Sequence, residues 1–254
     1  MSTSGAASFA ALPDPTDVPV IQIRPSRGWN VGQLAELWQY RELLYFLVWR
    51  DLKVRYKETA IGVAWAVLQP LAMMVVFTLF FGTLAKLPSE GIPYPLFAYA
   101  GLLPWQMFSR AISESAGSLA ADQRLITRVY FPRMLVPLST VLGGLVDFAI
   151  AAVLLVVLML VYGVAPAPSI VWLPIFVGLM VMTTTGVGLW LSALNLEYRD
   201  VRYLLPFLSQ LWLFLTPVVY PSSLIPPQWR VLYGLNPMVG VVEGFRWAVF
   251  GIGS

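Results

Sequence analysis

Charged side chains are concentrated at one junction of this 254-residue chain. The stretch RDLKVRYKE, residues 50–58, holds four basic and two acidic residues, and the next twelve residues, TAIGVAWAVLQP, hold no charge. A cationic cluster beside an apolar stretch is typical of a membrane boundary, because Lys and Arg stay on the cytoplasmic side of a span. We therefore expect this cluster to contact anionic lipid headgroups and to fix the direction of the first span.

The residue types that most catalysis requires are missing or dispersed. The chain has no cysteine, which excludes thiol nucleophiles, disulfides and iron–sulfur clusters, and no histidine, which removes the usual metal ligand and acid/base group. Its 13 acidic residues are scattered. The ATP-binding pattern GxxxxGK[ST] does not occur either. The sequence therefore predicts no catalytic, metal or ATP site in this chain, and no nucleic-acid partner.

The composition indicates a membrane protein. Hydrophobic residues make up 58% of the chain and charged residues only 11%, whereas a soluble domain carries roughly 25% charged residues. The apolar runs are continuous and lack the alternation that a membrane barrel needs, so their backbone must be satisfied within helices. The first run also starts too late and is too long for a cleavable signal peptide. We expect an all-α integral membrane protein.

The region before the first span divides into two parts. Residues 1–28 are rich in Pro, Ser, Ala and Asp without helical periodicity, and they predict a flexible cytoplasmic tail. Residues 29–58 combine apolar residues at helical spacing with charges and many aromatics, which predicts an amphipathic helix in the membrane interface. A soluble helix packed on another domain is the alternative. Residues 59–254 form the predicted transmembrane domain.

Five hydrophobic units of spanning length follow. They cover residues 61–85, 91–109, 134–162, 170–194 and 203–220, and the helix of the second unit is expected to begin near Leu96 and run past Arg110. Two short amphipathic helices, about 227–235 and 238–250, come after them, because Pro237 and Gly240 interrupt what would otherwise be one helix. Twelve of the sixteen basic residues fall on one side of these spans, which places the amino terminus in the cytoplasm.

Three ionisable residues lie within the predicted spans. Arg110 and Glu114 are one helical turn apart and could form a pair. Asp147 has Gly143 and Gly144 close by, where another helix could approach. Such groups are costly in lipid and face protein or water. Two interpretations remain open: the groups line a polar route, or they are satisfied structural pairs near helix ends.

Two cytoplasmic connections carry candidate contact residues. The segment LITRVYFPRMLVP, residues 125–137, places an exposed Tyr130-Phe131-Pro132 among arginines, which suggests docking of a soluble partner because aromatic and Arg side chains dominate interfaces. The alternative is a set of aromatics at the membrane interface. The segment NLEYRD, residues 195–200, is either a solvated turn or a second contact.

These stretches resemble the permease subunits of ABC type-2 polysaccharide exporters, the family that exports O-antigen, capsule and teichoic acid. In RDLKVRYKETAIGVAWAVLQP the family signature matches, in order, Arg50, Arg55, Tyr56, Lys57, Gly62, Trp65, Leu68, Gln69 and Pro70. Residues 101–119, 125–137, 195–220 and 235–247 also match, so that the resemblance covers about residues 30–250. ETAIG replaces the more usual Ser-containing turn. The family carries a sixth spanning helix and a cytoplasmic tail, whereas this sequence stops at Ser254.

The resemblance implies several partners. ATP and Mg would be bound by a separate ATPase subunit, present in two copies, and this chain would form a homodimer around a central pore in the cytoplasmic membrane of a bacterium, among membrane lipids. The cargo would be a lipid-linked polysaccharide; an ABC type-2 exporter of a drug or lipid is the alternative. The residues that would dock the ATPase are Tyr130, Phe131, Pro132, Arg133, Glu197, Tyr198, Arg199 and Asp200.

The resemblance also implies a sugar path lined by aromatic rings and an external gate made by the two short helices. Candidates for the path are Trp65, Trp105, Phe108, Trp190, Trp212 and Phe214, with simple packing as the alternative for each. Residues assigned to the gate are Trp229, Tyr233, Pro237, Met238, Glu243 and Arg246. We expect Glu243 and Arg246, one turn apart, to hold the second short helix in register. A lipid-facing hairpin without a gating role is the other interpretation.

Overall fold

The computed structural model describes residues 37–57, 63–198 and 200–252, and within these ranges the chain contains no β-strand. Wider π-helical turns cover Thr78–Leu84, and 3-10 turns cover Pro168–Trp172. The helices are α1 (Arg41–Lys57), α2 (Val63–Phe77), α3 (Tyr94–Ala121), α4 (Gln123–Arg128), α5 (Leu135–Tyr162), α6 (Leu173–Glu197), α7 (Val201–Phe214), α8 (Pro227–Gly234) and α9 (Pro237–Phe250).

Three helical stretches in the described ranges are long and apolar enough to cross a membrane. They are Ala64–Leu84, Leu135–Tyr162 and Pro168–Glu197, and they coincide with the first, third and fourth predicted spans. The second predicted span falls in the 28-residue α3, and the fifth falls in α7, which has 14 residues. The expected extension of the fifth helix to Tyr220 is wrong. It ends at Phe214 because Pro217 cannot continue the helical hydrogen bonds and disfavours helical geometry before it.

Helix ends follow local sequence signals. Pro93 and Pro95 place the start of α3 at Tyr94, two residues before the predicted start, because proline fits the first helical turn. The side chain of Asn236 caps α9 by accepting a hydrogen bond from the Met238 amide at 3.1 Å. Both α8 and α9 lie within one residue of the two predicted short helices, but the break falls before Pro237, and Gly240, which was expected to interrupt the helix, lies inside α9.

Helix α3 is the centre of the fold. It packs against α2, α5, α6, α7 and α9, and its largest side chains, among them Phe97, Tyr99 and Phe108, are fully buried. A helix shielded by protein on several sides does not need a continuous apolar surface. This position explains how α3 accommodates Arg110 and Glu114.

Helix α1 lies against the carboxyl end of α3 and the amino end of α5. Its Leu47 is 1% exposed and belongs to a small apolar cluster with Leu119, Phe131, Leu135 and Val136. The rest of its surface leaves Tyr45, Phe46 and Trp49 exposed, as expected for aromatic side chains at headgroup depth. Residues 29–36 and 58 of the predicted interfacial helix lie outside the described ranges.

The packing of α9 on α6 leads to a stability prediction. A Cβ atom at Gly244 would overlap the ring of Phe176, which itself stacks edge-on against Trp247. Gly244→Ala is therefore expected to destabilise the purified chain by about 1–3 kcal/mol, the usual cost of overpacking. Thermal unfolding in detergent measures this loss as a lower transition temperature.

Gly240 is the matched control because it lies on the same helix, and a Cβ there would meet no atom within 4 Å. Gly240→Ala should leave stability unchanged or raise it by up to about 1 kcal/mol, since alanine favours helix over glycine. Equal losses in the two variants would contradict the close approach at Gly244.

Candidate transport cavity and its charged network

Asp147 of α5 is the centre of a polar network that joins four helices. Its carboxylate accepts hydrogen bonds from Arg55 of α1, from Arg110 of α3 at 3.0 Å and from the Tyr56 hydroxyl. Burial and this carboxylate raise the pKa of Tyr56, so that its phenol keeps the proton it donates. The close approach predicted beside Asp147 occurs at Gly144, whose Cβ would lie 3.7 Å from the Cβ of Ala111 in α3.

Arg55 and Arg110 share two carboxylates, those of Asp147 and Glu114. Arg55 forms ion pairs with both Asp147 and Glu114, whereas Arg110 pairs with Asp147 and donates to the Gln69 side chain of α2 at 3.0 Å. The predicted pair between Arg110 and Glu114 is wrong, because Arg55 reaches in from α1 and takes Glu114. Two arginines and two carboxylates make the network neutral overall, which is how charges are accommodated inside a membrane protein.

A second network fixes the middle of α1. Arg50 binds Asp122, at the end of α3, through two hydrogen bonds of 2.7 and 3.1 Å, and it also pairs with its neighbour Asp51. Asp51 in turn accepts from Ser139 of α5 at 3.3 Å. The basic cluster at residues 50–57 therefore contacts protein carboxylates, through Arg50 and Arg55.

A cavity of about 790 Å³ lies next to the first network. Its walls come from α2, α3, α5 and α7. Polar and charged groups in the lining are Gln69, Gln106, Ser109, Arg110, Ser113, Glu114, Asp147, Ser209 and Gln210. Aromatic rings there are Phe77, Trp105, Phe148 and Phe214. The cavity thus combines hydrogen-bonding groups with flat apolar surfaces, a combination that suits a ligand with hydroxyl groups and apolar faces.

The predicted path aromatics do not form one surface. Trp105 and Phe214 line this polar cavity, but Trp65 is exposed and lines neither described cavity. Phe108 is fully buried and packs edge-to-face on Trp212 at a centroid distance of 5.0 Å. Phe148 lies in the wall but was missed from the sequence, because an aromatic residue in an apolar run carries no signal of its own.

A second cavity, of about 770 Å³, lies between α6, α7 and α8 and is almost entirely apolar. It takes in Trp190 and Trp212 from the predicted path, and Trp229 and Tyr233 from the predicted gate. Hydroxyl-rich ligands need more polar partners than this lining offers. Of the two cavities, only the polar one has the chemistry of a sugar path.

The predicted docking loop is only partly exposed. Tyr130 is 63% exposed and Arg133 is also exposed, with Pro132 half-buried between them. The prediction that Phe131 is exposed is wrong, because its ring is 6% exposed and packs beneath α1. In the second predicted contact, Glu197, Tyr198 and Asp200 are exposed, whereas Arg199 lies outside the described residues.

The predicted gate residues also differ in exposure. Trp229 and Pro237 are exposed and Tyr233 and Glu243 are half-buried, whereas Met238 and Arg246 are buried. The expected ion pair between Glu243 and Arg246 is not among the contacts within 4.0 Å in the described part of the chain. Glu243 instead hydrogen-bonds Ser222, and Arg246 binds backbone carbonyls. The register of α9 therefore has a different origin.

Arg55, Tyr56 and Gln69 were missed as parts of the charged network. In the sequence, Arg55 and Tyr56 belong to the basic cluster at residues 50–58, and all three residues match the family signature. Their partnership with Asp147 gives no local signal, because Asp147 lies 92 residues from Arg55. An unpaired acid in a span and a basic cluster at its boundary were the available signals. Only the packing of α1 on α5 brings them together.

Comparison with known proteins is consistent with this architecture. The ABC-2 type transporter family profile matches residues 42–250. An O-antigen export system permease protein, RfbA, from Myxococcus xanthus is 35% identical over 220 residues, which cover 85% of this chain and 83% of the relative. RfbA from Klebsiella pneumoniae is 32% identical over 86% of this chain and 82% of its own. The polysialic acid transport protein KpsM from Escherichia coli is 26% identical, with 79% and 78% covered.

The family profile thus covers most of the chain, including nearly all of α1, all the helices that line the polar cavity, and both short helices α8 and α9. The similarity to the first relative extends over 220 residues. The chain therefore belongs to the ABC-2 type transporter family.

Proposed function

We propose that this chain is the permease subunit of an ATP-driven exporter that moves a lipid-linked polysaccharide from the cytoplasm across the bacterial cytoplasmic membrane. The observation that carries the proposal is the polar, aromatic-lined cavity of about 790 Å³ among apolar helices. Aromatic rings stack on sugar faces, and the polar lining replaces the hydrogen bonds that a glycan makes with water. Relatives named for O-antigen export and polysialic acid transport support this class of cargo.

In the proposed topology the chain crosses the membrane five times in the described part, with α3 and α7 as the second and fifth spans. Helix α3 qualifies because protein packs around its charged residues. The non-helical turn at residues 215–220 carries the chain outward from the end of α7. The amino terminus is cytoplasmic, since most of the basic residues then lie on the cytoplasmic side. Helix α1 lies in the inner interface, and α8 and α9 lie on the external side as re-entrant helices.

A second copy of the chain completes the path. Several residues that line the polar cavity remain exposed in one copy, namely Gln69, Ser113, Gln210 and Phe214. Polar groups at membrane depth must face protein or water. A homodimer with the two cavities facing each other encloses these groups and widens the passage, as a two-fold arrangement of identical subunits allows.

Energy comes from a separate ATPase subunit that binds ATP and Mg, since this chain has no phosphate-binding loop. Its proposed docking surface consists of Tyr130, Pro132 and Arg133 together with the exposed turn at Glu197, Tyr198 and Asp200. The short helix α4 adds the exposed Arg124 and Arg128 beside them. An exposed aromatic flanked by arginines has the composition of an interface anchor.

The docking surface can be tested with a double substitution. Tyr130→Ala with Arg133→Glu removes the aromatic anchor and reverses a charge on side chains that the fold leaves exposed. We expect export per ATP hydrolysed to fall several-fold while the purified permease keeps its thermal stability. Measuring ATPase activity and surface glycan in the same membranes gives this ratio.

Phe131→Ala is the control for this test, because Phe131 is buried against α1. It should destabilise the permease by about 3 kcal/mol through cavity formation, rather than separate ATP hydrolysis from transport. Normal coupling in the Tyr130/Arg133 double variant would show that the ATPase docks elsewhere.

The cargo is tested by deleting the gene in its host and restoring it on a plasmid. Loss of surface polysaccharide, with lipid-linked polymer accumulating in the cytoplasm, is the expected phenotype, and the plasmid should reverse it. A strain that keeps its surface polysaccharide but becomes sensitive to drugs, or alters its outer lipid composition, would instead identify an exporter of drugs or lipids.

A further inference from the structure

Arg246 of α9 is a buried cation whose contacts are made with backbone rather than with an acid. Its side chain is 3% exposed. The guanidinium donates to the carbonyl oxygens of Phe97 in α3 and of Pro217 and Val218 in the turn after α7. It also stacks on the Phe97 ring, 3.6 Å from the centroid. Planar, multidentate donation of this kind fixes three chain segments relative to one another.

Gly101 of α3 also lines the Arg246 site, beside the carbonyl acceptors and the Phe97 ring. A Cβ atom at this position would overlap the guanidinium and would lie 2.8 Å from the Val218 carbonyl oxygen. Any residue larger than glycine would therefore displace Arg246 or the turn after α7. The pocket for the guanidinium is thus built by a close backbone approach as well as by its acceptors.

The opposite side of α9 is also fixed. The Ala167 amide, just before α6, donates to the Val249 carbonyl at 2.9 Å. The Ser169 hydroxyl donates to the Trp247 carbonyl at 2.8 Å. Together with the contact between Gly244 and Phe176, these bonds hold α9 to α6 while Arg246 holds it to α3.

Helix α8 is attached far more weakly. None of its residues is buried, and Val231 is 81% exposed. Its polar links to other segments in the described ranges are the Tyr233 hydroxyl, 3.3 Å from that of Tyr220, and Arg230, which donates to the Ile225 carbonyl just before the helix at 3.3 Å. Asn236, directly after α8, is in contrast held by Trp212 at 2.9 Å and by the Leu215 carbonyl at 3.0 Å. Elements with few buried contacts open at low free-energy cost.

We propose that Arg246 is a positioning residue that fixes α9 as a static wall of the external mouth, so that opening moves α8 alone, about a pivot at Leu235 next to the anchored Asn236. This rests on the proposed function, because the movement matters only if cargo leaves through this mouth. The two short helices are then unequal: one is a fixed wall and the other is the moving part. Hinges of this kind are a few residues at element ends.

Locking α9 tests the static half of the proposal, since the chain has no native cysteine. A Cβ at Gly251 would lie 3.1 Å from that of Ala167, slightly closer than a disulfide prefers, and the φ of +72° at Gly251 strains any side chain there. Ala167→Cys with Gly251→Cys therefore forms a disulfide between α9 and the segment before α6 after a small shift of that segment. With this disulfide formed in cells, export is expected to stay within two-fold of the reduced pair. Export that falls tenfold on oxidation and returns with an impermeant reductant would overturn the static role of α9.

Locking α8 tests the moving half. Tyr220→Cys with Tyr233→Cys, bridged by a bifunctional thiosulfonate as long as two tyrosine side chains, ties α8 to the turn after α7. Export is expected to fall at least tenfold and to recover with reductant. Export that continues through a confirmed bridge would contradict the movement of α8. If the unmodified gene on a plasmid does not restore surface glycan to a deletion strain, the proposed function fails instead, and this control keeps the two failures separate.

The role of Arg246 is tested by disulfide yield rather than by activity. Arg246→Met should lower the oxidation yield of the Ala167/Gly251 pair several-fold, because α9 is no longer held, and Arg246→Lys should restore part of it. The pair Ala111→Cys and Gly144→Cys, between α3 and α5, serves as the folding control and should crosslink equally in all backgrounds. An unchanged Ala167/Gly251 yield in Arg246→Met, with the control pair intact, would show that Arg246 does not position α9.

Discussion

Replacing Asp147 by asparagine is expected to abolish export and to destabilise the purified permease by roughly 3 kcal/mol. The side chain of Asp147 is 11% exposed, and its negative charge offsets part of the positive charge of Arg55 and Arg110. Without its charge the network carries an excess positive charge inside the protein. Removing one partner of a buried pair costs about 3–5 kcal/mol, and the lower end applies because both arginines keep some contact with solvent.

A second substitution distinguishes charge balance from simple loss of contacts. Asp147→Asn combined with Arg110→Gln returns the network to neutrality, and the double variant should be more stable than Asp147→Asn alone. Thermal unfolding of the four members of this double-mutant cycle gives the coupling energy. Glu42→Gln, at an exposed carboxylate of α1, is the matched control and should have no effect. Additive losses at Asp147 and Arg110 would mean that the network is not coupled.

A tryptophan at Ala66 is expected to reduce surface glycan more than tenfold and to leave lipid-linked polymer in the cytoplasm. Ala66 lies in the wall of the polar cavity on α2, so an indole there projects into the proposed path. The effect is steric and acts on transport, so that expression, membrane insertion and ATPase binding should remain at wild-type levels. Immunoblots of surface and cell-associated polysaccharide measure the two pools.

Ala64 provides the matched control, because it lies two residues away on the same helix, is exposed, and does not line the cavity. The sequence alone predicts that Ala64→Trp and Ala66→Trp both block transport, since each flanks Trp65. The structure separates them, and Ala64→Trp should export normally. Equal loss of export in both variants would place the path on another face of α2.

Much of the architecture follows from the sequence because it depends on local signals. Proline and glycine set the start of α3 and the ends of α8 and α9 within about two residues, and uncharged runs identify the three stretches of spanning length. The end of α7 was misplaced because apolar content was given more weight than Pro217. Hydropathy reports burial in lipid or protein, and it does not show where a helix stops.

The site was less predictable because it depends on contacts distant in sequence. The sequence identifies Asp147 and Arg110 as charged residues that are costly within spans. Its spacing also predicts a pair between Arg110 and Glu114, but in the structure Arg55 from another helix pairs with Glu114. The same error occurred at Glu243 and Arg246. One-turn spacing makes a pair possible, and tertiary acceptors such as backbone carbonyls compete for the same arginine.

Several aromatic residues could not be sorted into exposed and buried ones from the sequence, and the structure shows which are which. Phe131 and Tyr130 are neighbours, yet Phe131 packs under α1 and Tyr130 is exposed. Among the path candidates, Trp105 is 5% exposed and lines the polar cavity, whereas Trp65 is exposed and lines neither cavity. Composition identifies such residues as candidates, and only the packing of α1, α2 and α3 separates those that can meet a partner from those that fill the core.

Photocrosslinking from the cavity wall tests the path most directly. A photoreactive amino acid at Gln106, which lies in the wall of the polar cavity on α3, should form a covalent adduct with glycan during active export. The same residue at Leu160, 77% exposed on α5 and outside both cavities, should give none. An adduct that appears at Gln106 and disappears when ATP hydrolysis is blocked before cargo enters is the predicted result. Export that proceeds without an adduct at Gln106, or with equal adducts at both positions, would contradict transport through this cavity.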